Sequence, residues 1–157
     1  MNKDVCCPKF NPRPFNGREV VLKDKLFVKD KVCCFLHIPL NFGCVMKRMV
    51  SKVEASKAAV DPREWLLLSL DVSCWKSEQY LAVKKEVKGM ENVKISGTFL
   101  TKVFEGPYKD AGKWYKEMQD YVKSKGKTAK KIYFYYTICP KCAKKYGVNY
   151  VILFAEI

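Results

Sequence analysis

A chain of 157 residues, 48% hydrophobic and 13% aromatic, is about one domain long and can bury a core, which excludes wholesale disorder. Thirty Lys and Arg against 16 Asp and Glu leave a formal charge of +14, yet only Arg13, Arg18, Arg48 and Arg63 are arginine. A diffuse lysine surface is not the forked chemistry of specific base or phosphate recognition, so no specific nucleic acid is expected as a partner. No apolar run reaches the ~20 residues of a membrane-spanning helix, and the start MNKDVCCPKF has no apolar signal core. A cytoplasmic chain with no membrane partner is the expectation.

Residues 1–31 hold Pro8, Pro12 and Pro14 among Asn and Lys, and the composition predicts an extended lead-in without regular structure. Val32–Leu40 (VCCFLHIPL) is apolar and β-prone and reads as a buried strand containing His37. Asn41 is placed to cap a helix over Phe42 to about Ala59, with Val45, Met46, Met49, Val50 and Val53 on one face. Asp61-Pro62 breaks the chain. Leu66–Val72 and Gln79–Val87 read as strands, and Lys88–Lys94 as a connector.

The second half repeats that order. Ile95–Glu105 reads as a strand that meets the turn Gly106-Pro107-Tyr108. A helix over Lys109–Ser124 carries an apolar stripe of Ala111, Trp114, Tyr115, Met118, Tyr121 and Val122, closed by Lys125-Gly126-Lys127. Strands over Lys131–Thr137 and Val148–Glu156 follow. The predicted class is α+β: duplicated strand-helix-strand-strand units forming one curved antiparallel sheet with two helices on one face. The halves fall at about 32–88 and 95–157, within one domain spanning 32–157.

The Gly-Pro-Tyr turn before a tryptophan helix, the aromatic strand after it and the doubled element order resemble GyrI-like small-molecule-binding domains. The wording of FLHIPLNFG (Phe35–Gly43), SGTFLTKVFEGPY (Ser96–Tyr108) and YFYYTICPKCAKKYG (Tyr133–Gly147) is similar to a stand-alone, hydrolase-labelled group of that family. The resemblance implies binding of a small aromatic or amphipathic molecule. It also implies hydrolysis of a reactive substrate, such as a cyclopropane-containing toxin, as a concrete activity. Non-catalytic sequestration of the ligand stands beside it.

From the residues themselves, an aromatic-lined cleft with one or two carboxylates suits a flat or cationic ligand. The ligand-binding candidates are Trp75, Tyr80, Tyr108, Trp114, Tyr135, Tyr150 and Phe154. Strand alternation sets Val151, Leu153 and Ala155 under the helices and turns Tyr150, Phe154 and Glu156 to the opposite, ligand-facing side. Hydrolysis needs a carboxylate to orient water and a donor to steady the leaving oxygen; Glu105, Glu156 and Tyr133 are the candidates. A single histidine, His37, argues against a serine-hydrolase triad.

The eight cysteines include Cys139-Pro-Lys-Cys142, a knuckle of the spacing that supplies two thiolates to zinc, with Cys7 as a third ligand from the lead-in. No cofactor is required for the hydrolytic reading. A zinc or thiol protein using Cys139 and Cys142 is the alternative.

Overall fold

The computed structural model describes residues 9–138 and 140–157. They divide into two compact units: a mid-chain unit, Leu22–Gly97, and a terminal unit joining the described residues up to Val21 to Thr98–Ile157.

In the mid-chain unit, β1 (Arg18–Phe35, entering from the terminal unit) pairs antiparallel with β2 (Ile38–Pro39) and with β4 (Lys76–Ala82), and β4 pairs with β3 (Leu67–Ser73). The helix α1 (Phe42–Ala55) lies on this sheet, burying Val45, Met49 and Val53 at i, i+4 and i+8 against Val28, Val32, Leu67 and Leu81. Three expectations change here. β1 starts at Arg18, so residues 18–31 are strand and not an irregular lead-in. Their lysines and acids fill the outward positions of an antiparallel strand, a pattern that reads locally as loop. Asn41 precedes α1 without capping it through its side chain, because its Oδ1 accepts the Cys33 N–H at 2.8 Å. His37 lies in a two-residue turn, not in a strand: Phe35 pairs with Ile38, while Leu36 and His37 hold φ of 47° and 67°. Positive φ at both central residues is what a hairpin turn matched to the strand twist requires.

In the terminal unit, β7 (Tyr150–Glu156) is the middle strand, antiparallel to β5 (Glu91–Glu105, arriving from the mid-chain unit) and to β6 (Lys131–Tyr136). The helix α2 (Ala111–Ser124) sets Trp114, Met118 and Val122 on Phe104, Ile132, Phe134, Val151, Leu153 and Ala155. Its end forms where Lys125-Gly126-Lys127 predicts it. The Lys127 N–H reaches Val122 O at 3.2 Å, the Gly126 N–H reaches Lys123 O at 2.9 Å, and Gly126 takes φ of 71°.

A third helix, α3 (Pro140–Tyr146), lies between β6 and β7, where the cysteine knuckle had been read. Together with β2 it interrupts the strand-helix-strand-strand order. The chain is thus a mixed α/β protein whose described strand pairings are antiparallel. Among the described residues no helix is long and apolar enough to cross a membrane.

The face of the terminal sheet away from α2 is filled, which removes the open aromatic cleft expected there. Phe15 lies 6.1 Å from Phe154 between ring centres, and Phe10 meets Tyr135 edge-on at 5.9 Å. Phe99 packs on Tyr133 and Phe154 at 6.1 and 6.4 Å. Aromatic side chains on an uncovered sheet face bring in any apolar neighbour the chain can supply, and here the N-terminal segment supplies two phenylalanines.

Candidate functional site

The Glu105-to-Tyr108 turn is built by residues that leave it little freedom. Gly106 holds φ of 145°, and a Cβ there would stand 3.3 Å from the Trp114 ring and 3.6 Å from Asp110 Oδ2. Pro107 then sets φ of −73° and opens a short 3-10 turn, Tyr108–Asp110, ahead of α2. The turn is clamped by Asn149, the residue before β7. The Gly106 N–H donates to Asn149 O at 3.2 Å, and Asn149 Nδ2 donates back to Gly106 O at 2.9 Å.

That clamp fixes the amide. A carbonyl oxygen can only accept, so the nitrogen must face Gly106 and the amide oxygen must face away. Asn149 Oδ1 is buried and has no hydrogen-bond partner among the described residues. It belongs to a residue lining an open cleft of about 310 Å³, shared with Glu105, Gly106, Pro107, Tyr108 and, from the α3 side, Lys144. The Glu105 carboxylate is exposed at this cleft. Tyr108 supplies ring surface and spends its hydroxyl on Ile138 O at 2.9 Å. The Asn149 oxygen, shielded from solvent, carries the cost of a buried unmade bond that a donor could relieve only if the side chain shifted toward the cleft.

The sheet register separates the other candidates from this cleft. Glu105 pairs with Tyr150, whereas Glu156 pairs with Phe99, at the opposite end of the β5–β7 ladder. Six residues of strand put the two acids ~20 Å apart. Tyr133, Tyr135 and Phe154 are buried in the aromatic cluster around Phe15 and Phe99. Burial pushes the Tyr135 phenol up to about 12, so it is a neutral donor across the physiological range. Tyr150 is half-buried at the cleft end of β7. Trp114 is core, stacked on Phe104 at 6.0 Å beneath the Gly106 turn, and does not line the cleft.

Trp75 and Tyr80 belong to the mid-chain unit: Trp75 is exposed on the β3–β4 turn and Tyr80 is buried in β4. Cys142 is buried in α3; Cys139 and Cys7 lie outside the described residues. Among the described residues no group of three or more His, Cys, Asp or Glu side chains could hold a metal.

Two features escaped the sequence. Asn149 carries no local signal, since its partner is Gly106, far away in the chain. The second is a cluster in the mid-chain unit: Lys29 Nζ lies 3.1 Å from Glu78 Oε1 and 3.6 Å from Glu91 Oε1, and the Tyr80 hydroxyl donates to Glu78 Oε2 at 2.6 Å. Burial alone would push the Glu78 carboxyl up, but the Tyr80 hydroxyl and the Lys29 ammonium outweigh it and hold it below its usual value. These groups satisfy one another, which suits a structural role.

The consequence is a pH dependence. A carboxyl with a lowered folded pKa stabilises the fold above the ordinary glutamate value and loses that contribution as pH falls through the folded one. Glu78→Gln should therefore cost ~1 kcal/mol near neutral pH and flatten the loss of melting temperature between about pH 5 and pH 3. Thermal unfolding of both proteins across that range checks it; parallel curves would refute it.

No curated protein matches the chain. The crystal structure of a hydrolase encoded by lin2189 from Listeria innocua is similar, with a TM-score of 0.59 and 11% identity over 90% of this chain and 92% of that chain. At that identity the likeness is one of fold. The family model described as bacterial hydrolase matches residues 1–157, from one end of the chain to the other, and the chain belongs to that family.

Proposed function

We propose that the chain hydrolyses a small aromatic or amphipathic electrophile in the cleft beside Glu105, Gly106 and Asn149. The observation that carries this reading is the exposed Glu105 carboxylate in a cleft that Asn149 also lines, whose buried Oδ1 has no hydrogen-bond partner among the described residues. A water donating one proton to the Glu105 carboxylate would keep a lone pair aimed outward. Glu105 would take the proton as water attacks, Lys144 would face the charge developing on the leaving oxygen, and the Tyr108 ring would form the apolar wall.

The strand-helix-strand order around α1 and again around α2 supports placing the protein among GyrI-like proteins, some of which hydrolyse strained cyclopropane compounds, electrophiles of this kind. The test uses para-nitrophenyl acetate and styrene oxide as turnover probes and benzamide as a non-reactive binding probe. Turnover together with amide NMR shifts at Gly106, Gly147 and Val148 on adding benzamide is the expected result. Binding at those amides without turnover of either probe would leave sequestration as the function. Shifts confined to other residues would reject the cleft.

A further inference from the structure

Six of the large apolar side chains that stand most exposed gather on two adjoining turns of the mid-chain unit. Phe35 (52% exposed), Leu36, Ile38 and Leu40 surround the β1–β2 turn, and Val72 and Trp75 (56%) flank the β3–β4 turn. The turns form one surface. The Cys34 N–H donates to Trp75 O at 2.7 Å, the His37 N–H donates to Cys74 O at 2.9 Å, and the Phe35 and Trp75 rings meet at 5.5 Å. Soluble chains scatter such residues singly; a contiguous cluster marks a contact surface.

Charge indicates what the surface meets. Between Asp30 and Glu54 the chain has no acidic residue; Arg48 there is spent on Asp30 at 2.7 Å and the Lys52 ammonium on Gly89 O at 3.2 Å, which leaves Lys31 and Lys47 to the surface charge of a protein of formal charge +14. Asp71 is the acid beside the turns, and His37 Nδ1 lies 3.5 Å from its carboxylate. Lysine-rich, undirected charge is attracted by a field of anionic headgroups, which needs no matched geometry.

Backbone bonding indicates how far the turns can go. Leu40 N–H donates to Cys33 O at 2.9 Å and Trp75 N–H to Ser73 Oγ at 3.2 Å, so these amides do not enter an apolar medium bare. Two tight turns tipped with Phe, Leu, Ile and Trp can enter the boundary between headgroup and acyl chain, where Trp is favoured. That no helix among the described residues is long and apolar enough to cross a membrane has no bearing on such peripheral contact.

We infer that the paired β1–β2 and β3–β4 turns form a peripheral docking surface for an anionic lipid bilayer. The experiment uses the full chain with phosphatidylcholine vesicles, with and without about 30% phosphatidylglycerol. Wild type is compared with the double variant Leu36→Asn, Trp75→Ser, which keeps the net charge. Asn suits the positive φ at position 36, and both sites are exposed, so an unchanged melting temperature certifies the fold.

Wild type should sediment with the phosphatidylglycerol vesicles and far less with neutral ones, and the variant's affinity should fall about tenfold or more. Equal binding of the two proteins would overturn the inference, leaving charge alone as the attraction. Absence of vesicle binding would also overturn it. If light scattering then shows a wild-type dimer that the variant cannot form, the surface belongs to a second copy of the chain.

Discussion

Glu105→Gln is expected to lower hydrolytic turnover by about 10²- to 10⁴-fold, the usual contribution of a positioned general base. The melting temperature should not change, because the side chain is exposed and ends a strand without a described ion pair. The matched control is Glu156→Gln. That acid sits opposite Phe99, ~20 Å along the ladder from the Tyr150 end, and its loss should leave turnover intact. Steady-state kinetics on para-nitrophenyl acetate, with melting curves for each protein, gives the comparison. Equal rates for wild type and Glu105→Gln would remove Glu105 from the chemistry; a loss in Glu156→Gln would move the site to the far end of β7.

Trp114→Ala should produce the largest loss of stability, about 3–5 kcal/mol, as expected for deleting a buried aromatic ring. Trp114 is 4% exposed, stacks on Phe104 and shares a cluster with Met118, Val122, Ile132 and Leu153. For a chain of this length the melting temperature should fall by roughly 10 °C or more. A second effect follows from position. The ring stands 3.3 Å from where a Gly106 Cβ would be, so it is the floor of the turn that aims Glu105 at the cleft. Removing it should reduce turnover even well below the melting transition, while Trp114→Phe should retain most of both properties. A Trp114→Ala protein with wild-type kinetics at low temperature would show that the turn does not depend on this floor.

Much of the fold was legible because local periods carry it. The stripe on α2, its glycine stop and the alternation of β7 set Trp114, Met118, Val122, Val151 and Leu153 into one core, as the structure has them. Where the reading went astray, charge concealed a regular element. Lysines along residues 18–31 disguised β1, and the spacing of CPKC drew attention from α3, which contains Cys142. The aromatic cleft failed for another reason. Strand parity assigned Phe154 to the face away from α2, but parity cannot say what covers that face, and Phe15 does, with Phe10 on the neighbouring Tyr135.

The candidate site divides along the same line. Gly106-Pro107-Tyr108 and a carboxylate at the strand end are readable from residues 105–108, since a glycine, a proline and a strand terminus act over a few bonds. That Asn149 clamps this turn, that its amide oxygen has no partner among the described residues, and that Glu156 stands at the opposite end of the ladder from Glu105 were decided by tertiary structure. Each depends on register between strands some fifty residues apart or on packing of the N-terminal segment, and no local period encodes either.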